Sequence, residues 1–207
     1  MSWRSEIGDP IRYGFAVGRV RVLESRLLGV SHFERLMDAV GFDDMRRVLS
    51  ETHFGRYLEG VRTADSVEEA LDGSLADLFD EFLDRADLPE AVVAFFRRPY
   101  DWANLKARLK ADALGIPVAD YLQNLGTVDA EEFTRSIEDL RPLLSELSGG
   151  AKTTTDVDLA SAAVAGPDGL ATIELAVDRA AIADHLHWAE RSRSAFIREL
   201  ARLEADC

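Results

Sequence analysis

Apolar side chains recur at three- and four-residue steps along most of this 207-residue chain, and this spacing is typical of amphipathic α-helices. Only residues 171–177 alternate as a strand would, and the alanine, glutamate and leucine among them favour helix. One helix, for example, would present on one face Leu71, Leu75, Leu78, Phe79, Phe82 and Leu83. We therefore predict an all-α fold with almost no strand.

Capping patterns predict where several of these helices begin. Ser31 with Glu34, and Ser66 with Glu69, have the three-residue spacing of a capping box, in which each side chain bonds the other's backbone N–H. Asp129, followed by Glu132, predicts the start of a further helix.

Proline and glycine predict the boundaries of a helix in the middle of the chain. Pro99 suggests that a new helix begins just after it, spanning about 102–114. Asp101 would then be its N-cap, and Asn104 would lie close to the same helix end. Gly115 is suited to end this helix, because glycine adopts the left-handed conformation of a C-terminal cap at little cost.

The region around residue 150 is rich in glycine, serine and threonine, which is typical of a linker. We expect a first helical unit over 1–148, a linker over 149–155, and the start of a second helical unit over 156–207. Two helices, at about 171–187 and 189–205, are predicted in the second unit.

The charge of the chain restricts its partners. Its formal net charge is −14, which argues against general nucleic-acid binding and against direct docking on an anionic lipid surface. No segment approaches the roughly 18 uncharged apolar residues of a membrane-spanning helix. Acidic residues concentrate in 65–90 and basic residues in 97–110; these runs are either solvated helix faces or two surfaces that attract different partners.

Few residues suggest catalysis, and we expect no enzyme activity, no cofactor and no metal. The sequence has no phosphate-binding loop and no nucleophile elbow. His185 and His187 form the only local histidine cluster, but side chains two residues apart point to different sides of a helix. The lone Cys207 has no neighbouring group that would activate it.

Three segments carry more specific information. They are 13–28, with Tyr-Gly-Phe-Ala-Val-Gly-Arg-Val-Arg at its start; 45–55, with Glu-Thr-His-Phe-Gly at its end; and 101–126, with Asp-Trp-Ala-Asn-Leu-Lys at its start. In this order and spacing they resemble the C subunit of the V/A-type rotary ATPases (ATP synthases), which is called the d subunit in the eukaryotic enzyme. The motif residues are Tyr13, Arg19, Arg21, Glu51, Thr52, Asp101, Asn104, Leu105 and Lys106.

The resemblance implies repeated helical-bundle units that form a funnel in the full-length family. It also implies a non-catalytic central-stalk component on the cytoplasmic face of the membrane, held there by protein partners. Such a component couples the rotating shaft to the membrane ring that carries protons or sodium ions. The implied partners are therefore the central-shaft subunits and the membrane ring, and no nucleotide is bound.

The chain departs from this family in length. Family members repeat the Asp-x-x-Asn-Leu element, whereas here only Asp206 could begin a second copy. We therefore expect an incomplete second unit whose last helix is only partly covered and offers a surface for self-association. Its apolar stripe consists of Phe196, Ile197, Leu200 and Leu203.

Two alternatives remain open from the sequence. The chain could be an unrelated all-helical adaptor or regulatory protein, which its composition alone would favour. It could also be an all-α enzyme or metal protein built around His185, His187 and the acidic helix.

Overall fold

The computed structural model describes residues 13–147 and 169–205, except for the side chains of Asp65 and Glu146. The predicted all-α class is confirmed, since the described residues form helices and connecting turns without any strand. The chain divides into two compact units, Met1–Leu88 (unit 1) and Pro89–Cys207 (unit 2). The predicted linker at 149–155 lies outside the described residues, so the division of the chain at that point stays a prediction.

Unit 1 is built from short helices around a small apolar core. Its helices are α1 (Gly14–Glu24), α2 (Val30–Met37), α3 (Phe42–Ser50), a 3-10 turn (His53–Tyr57), and α4 (Ala64–Phe79), which continues as a π-helical turn (Asp80–Asp84). Leu49, Leu58 and Val67 are the buried centre of this unit. They join α3, the segment after the 3-10 turn, and α4.

Unit 2 is dominated by two long helices. Its elements are α5 (Glu90–Leu114), 3-10 turns at Ala119–Tyr121 and Ala130–Thr134, α6 (Ile137–Leu147), α7 (Gly169–Arg191) and α8 (Ala195–Ala205). A continuous apolar core joins α5, the second 3-10 turn, α6 and α7; its members include Leu105, Leu109, Phe133, Leu140, Leu147, Ile173 and Val177. Described helices on both sides of residues 148–168 therefore share one core.

The prediction of a separate helix after Pro99 is wrong. One helix runs from Glu90 to Leu114 with Pro99 in its interior, although an interior proline costs roughly 3 kcal/mol relative to alanine. Continuous burial of apolar side chains on both sides of the proline, such as Phe95 and Leu105, compensates for this cost. Asp101 is therefore an interior helix residue and not an N-cap.

Two predicted capping boxes are also wrong in position. The N-cap of helix α4 is Thr63, three residues before Ser66, and its side chain accepts a hydrogen bond from the Ser66 N–H (3.2 Å). Helix α2 begins after Gly29, whose N–H donates to Nδ1 of His32 (3.2 Å), so Ser31 is not its cap. In both places another polar group satisfies the free N–H at the helix start.

Three other predicted helix boundaries can be compared with the structure. Asp129 caps only a 3-10 turn, through a bond from the Glu131 N–H (2.9 Å). Helix α7 runs through Trp188 to Arg191, and the chain turns over 192–194 instead of near 188. Gly115 ends α5 in the left-handed conformation (φ 65°), as predicted.

The stripe on α8 is partly uncovered, as predicted. Ile197 is buried, whereas 75% of the Phe196 surface and 58% of the Leu203 surface are exposed. Ile197 packs with Phe95, Ala189 and Ala201 in a second, smaller apolar cluster of unit 2.

Candidate functional site

The fully buried carboxylate of Asp101, on α5, anchors the loop 122–128. Its Oδ2 accepts hydrogen bonds from the N–H (3.1 Å) and the hydroxyl (2.5 Å) of Thr127, and its Oδ1 accepts one from the Val128 N–H (3.0 Å). These bonds satisfy donors of a segment without regular structure, which water would otherwise have to reach. Asp101 thus supplies the hydrogen-bond acceptors that this loop does not obtain from regular secondary structure.

Two neighbours on the same helix face bind the same loop. Asn104 makes a reciprocal pair with Gln123: its Nδ2 donates to the Gln123 carbonyl and its Oδ1 accepts from the Gln123 N–H, both at 2.8 Å. Arg97 donates to the carbonyl oxygen of Leu125 (3.1 Å). Positions 97, 101 and 104 follow the helical i, i+4, i+7 spacing, so they form one polar stripe toward the loop.

Gly126 lies so close to Asp101 that no side chain fits at this position. A Cβ atom added there would lie 2.0 Å from Asp101 Oδ1 and 2.9 Å from its Cγ. Such distances are far inside van der Waals contact, so either the loop or the buried carboxylate would have to move. The Leu-Gly pair that follows the motif in the sequence is therefore part of the same arrangement.

Replacing Gly126 by alanine should lower the free energy of unfolding by about 1–3 kcal/mol, the usual cost of an overpacked site. The Gly73→Ala control should instead raise it by roughly 0.5–1 kcal/mol, since Gly73 lies inside α4 with nothing within 4 Å of the added Cβ. Urea titration of the two variants measures both changes. Equal effects would show that the contact with Asp101 has no energetic importance.

Burial raises the pKa of the Asp101 carboxyl above its ordinary value of 3.8. The hydrogen bonds from Thr127 and Val128 and the positive charge of Arg98 act in the opposite direction. Since the pKa is higher in the folded chain than in the unfolded chain, folding takes up a proton between the two values. The stabilisation from this group is complete below the unfolded value and is lost as pH rises through the folded value.

This pKa shift predicts that the unfolding free energy depends on pH, and comparison with the non-titrating Asp101→Asn variant measures this dependence. The difference in unfolding free energy between the wild type and Asp101→Asn should shrink as pH rises from about 4 toward neutrality. Urea titrations of both proteins over this range measure the difference, and other titrating groups largely cancel. A difference that grows with pH would show that the hydrogen bonds dominate over burial.

A second buried network joins α5 to α7 through Arg98 and Asp184. Their side chains form a two-bond ion pair, with Nε to Oδ2 at 2.7 Å and Nη2 to Oδ1 at 2.9 Å. Trp102 Nε1 also donates to Asp184 Oδ2 (2.9 Å), and Arg98 donates to the carbonyl oxygen of Leu147. Every element of the main core of unit 2 except the 3-10 turn therefore contributes to this network.

Lys106 and Lys110 extend the contact between the same two helices at the surface. Lys106 pairs with Asp178, and Lys110 pairs with Glu174 (2.7 Å). Higher numbers on α5 match lower numbers on α7, so the two helices are antiparallel. Leu105, the motif residue that precedes Lys106, is fully buried in the apolar core.

The bases of the run 97–110 make contacts within unit 2. Its arginines and lysines are occupied within unit 2 by the contacts just described and, for Arg108, by an ion pair with Asp112 (2.8 Å). Arg97 and Arg98 are also buried. The run is therefore a solvated face only at Lys106 and Lys110, and its role in attracting a partner stays a prediction.

The motif residues on α1 make local contacts within unit 1. Tyr13 precedes α1, and its carbonyl oxygen accepts from the Val17 N–H (2.8 Å). Arg19 pairs with Glu81 in the π-helical turn, which joins α1 to the end of α4. Arg21 makes an exposed pair with Glu24 (2.8 Å) on its own helix.

Glu51 and Thr52 define the end of α3. Glu51 pairs with Arg35 of α2 (2.7 Å). The Thr52 hydroxyl donates to the carbonyl oxygen of Leu49 (2.6 Å) and accepts from the Phe54 N–H (3.2 Å), so it closes α3 and caps the following 3-10 turn. These contacts, like those of Asp101 and Asn104, position backbone segments.

Replacing Thr52 by alanine should cost about 1 kcal/mol, the usual value for a lost helix cap. The matched control is Thr134→Ala, because the Thr134 hydroxyl only donates to the carbonyl oxygen of Glu131 in an exposed turn. Thermal unfolding of both variants measures the difference, and equal melting temperatures would contradict the capping role.

The histidine cluster does not form a shared site. His185 Nε2 lies 2.7 Å from Glu204 Oε2, and its ring stacks on Phe95. His187 instead meets the edge of Trp188. Within the two described ranges, no three His, Cys, Asp or Glu side chains are grouped as metal ligands.

Sequence reasoning missed Arg98 and Asp184, the best-buried ion pair among the described residues of unit 2. Arg98 stands beside Arg97 in an apparently solvated basic run, and Asp184 lies 86 residues further along the chain. Periodicity along one helix does not indicate which distant residue pairs with it.

Comparison with known proteins decides the family. The model of the ATP synthase (C/AC39) subunit family matches residues 16–207. The chain belongs to this family. The match includes both units and all the motif residues except Tyr13.

Curated relatives of this chain are named as C subunits of ATP synthases. The C subunit of an A-type ATP synthase of Methanosarcina acetivorans is 30% identical over 152 residues, which are 70% of this chain and 39% of that protein. The C subunit of a V-type ATP synthase of Thermus thermophilus is 34% identical over 128 residues, 61% of this chain and 39% of that protein. The C subunit of an A-type ATP synthase of Methanosarcina mazei is 30% identical over 128 residues, which are 59% of this chain and 34% of that protein.

The chain thus spans little more than a third of the length of these family members. No solved structure matches it. In the described part of the chain, none of the helices has the length and apolar character needed to cross a membrane.

Proposed function

We propose that this chain acts as a non-catalytic central-stalk component of a V/A-type rotary ATPase. In this role it is a socket that receives the rotating shaft and couples it to the membrane ring. The ring carries protons or sodium ions, linked to ATP hydrolysis or synthesis. The protein sits on the cytoplasmic face of the membrane as a peripheral component held by protein partners.

The family match over residues 16–207 carries this proposal. Relatives named as C subunits of ATP synthases support the same assignment. The contacts of the motif residues agree with it: Asp101, Asn104 and Thr52 hold backbone segments, and Lys106 pairs with a neighbouring helix. Residues that position helices suit a protein that transmits force.

Isolation of the assembled complex tests this function. The chromosomal gene is fused to an affinity tag, membranes are solubilised in mild detergent, and the captured proteins are identified by mass spectrometry. We expect the ATP-hydrolysing head, the shaft subunits and the membrane ring to co-purify with the tagged chain. Deleting the gene should leave ATP hydrolysis but uncouple it from ion uptake into membrane vesicles.

A matched pair of substitutions makes the test specific to the fold. Asp184→Ala, which breaks the buried pair with Arg98, should reduce recovery of the complex, whereas Asp178→Ala at an exposed pair on the same helix should not. Co-purification with unrelated proteins only would favour the alternative of an all-helical adaptor. Capture of neither head nor ring would contradict the proposal.

A further inference from the structure

Unit 1 contains an apolar groove with a volume of about 570 Å³. Its lining includes Leu23 and Leu27, from α1 and the turn that follows it, and Leu71, Leu75 and Leu78 of α4. Phe33, Phe54 and Tyr57 complete the lining. The α4 positions follow the i, i+4, i+7 spacing of one helix face, so this face is turned toward the groove.

The groove is open, and apolar surface continues beyond it. Leu27 is 73% exposed and Phe33 is 54% exposed. Val30 and Met37, three residues before and four residues after Phe33 on the same face of α2, are also exposed. Contiguous apolar surface of this kind marks interaction sites on soluble proteins. An extended strip suits a macromolecular partner better than a small molecule, which would be enclosed.

The groove has a positive rim although the chain has a net charge of −14. Arg26, His53 and Arg56 line it, close in sequence to Leu27 and Phe54. Among the described residues Arg26 has no ion-pair partner, whereas Arg56 lies 3.6 Å from Asp77. The one acid in the lining, Glu81, is already paired with Arg19.

His53 adds an imidazole to this rim but not a full positive charge. Burial lowers the pKa of His53 below its ordinary value, and the charges of Arg26 and Arg56 act in the same direction, against a backbone hydrogen bond at Arg26. The ring is therefore mostly neutral near pH 7. A carboxylate placed beside Arg26 would give this arginine the ion-pair partner that it lacks among the described residues.

We propose that this groove is the docking site of an amphipathic helix from a partner protein, with large apolar anchors on one face and a carboxylate beside them. From Leu71 to Leu78 the α4 face rises about 10 Å at 1.5 Å per residue, which accommodates about two turns of the docked helix. Its anchors would follow the i, i+3 or i+4, i+7 spacing of helix-in-groove recognition. This inference does not depend on the proposed function.

Two synthetic peptides of about five helical turns test the proposal with the purified full chain. Both carry leucine at the anchor positions, and they differ only in glutamate or lysine at the flanking positions. Fluorescence anisotropy should show that the glutamate peptide binds and that the lysine peptide binds about tenfold more weakly. Rising salt should selectively weaken binding of the glutamate peptide, because salt screens the rim charges.

Matched variants locate the binding site. Arg26→Glu should weaken the glutamate peptide about tenfold, whereas Arg62→Glu, an exposed arginine outside the lining, should change its affinity less than about twofold. Leu27→Asp should abolish binding of both peptides, whereas Val40→Asp, exposed and outside the lining, should not. All four positions are exposed, so circular dichroism should show wild-type helix content in each variant.

Several outcomes would overturn the proposal. The groove would be excluded as the site if neither peptide bound. It would also be excluded if Val40→Asp removed binding as effectively as Leu27→Asp. Equal binding of the two peptides with no effect of Arg26→Glu would exclude the carboxylate. Sedimentation that shows self-association abolished by Leu27→Asp would identify a second copy of the chain as the occupant instead.

Discussion

Replacing Asp184 by alanine should lower the free energy of unfolding of unit 2 by about 3–5 kcal/mol, the cost of leaving one charge of a buried pair without its partner. Arg98 would keep its buried guanidinium with only the Leu147 carbonyl as an acceptor in this network, and Trp102 would lose the acceptor of its indole N–H. In a Trp3→Phe background, urea unfolding followed by the fluorescence of Trp102 and Trp188 measures the change in unit 2.

Asp178→Ala is the matched control, because it removes the same residue type from the same helix and also breaks a pair with α5. That pair is at the surface, so its loss should cost less than about 1 kcal/mol. The double variant Arg98→Met with Asp184→Leu should recover part of the loss, since it removes both buried charges. Equal effects of Asp184→Ala and Asp178→Ala would show that burial of the pair does not matter.

Asp101→Ala should have the second largest effect, a loss of about 3 kcal/mol. The part-buried backbone N–H groups of Thr127 and Val128 both lose their acceptor. An unsatisfied buried donor costs roughly 1–3 kcal/mol, and the lower end of this range applies to each of these part-buried groups. Hydrogen exchange of these two amides should become much faster, because the loop is no longer held to α5. Urea titration measures the loss of stability in the same sample.

The control for Asp101 is Asp112→Ala, further along the same helix, where the carboxylate pairs with Arg108 near the surface. Its loss should cost less than about 1 kcal/mol and leave the exchange of the 127 and 128 amides unchanged. If Asp101→Ala left these amides protected, the loop would be held by Asn104 and Arg97 alone.

The all-α class was predictable because it depends on periodicity, which is a local property of the sequence. The boundary at Gly115 was predictable for the same reason, since a glycine at a helix end needs no distant partner. The stripe on α8 also follows from spacing alone, although the sequence did not indicate that Ile197 would be its covered member.

The continuation of helix α5 through Pro99 could not be predicted, because local preference and tertiary packing disagree there. Pro99 and Asp101 together have the pattern of a helix start, but the buried side chains on both sides keep α5 continuous. The role of Asp101 changed as a result, from capping its own helix to accepting bonds from a loop 26 and 27 residues away. The family was identified correctly, while the contacts of the motif residues depend on a fold that local patterns do not specify.

The Arg98–Asp184 pair also determines when unit 2 can be completed during translation. The ribosome makes Arg98 86 residues before Asp184, which corresponds to about 4–17 s at roughly 5–20 residues per second. During that interval α5 has neither its ionic partner nor the apolar face of α7. The described helices of unit 1, in contrast, find their core partners within the first 88 residues, so unit 1 can fold while the ribosome is still producing unit 2.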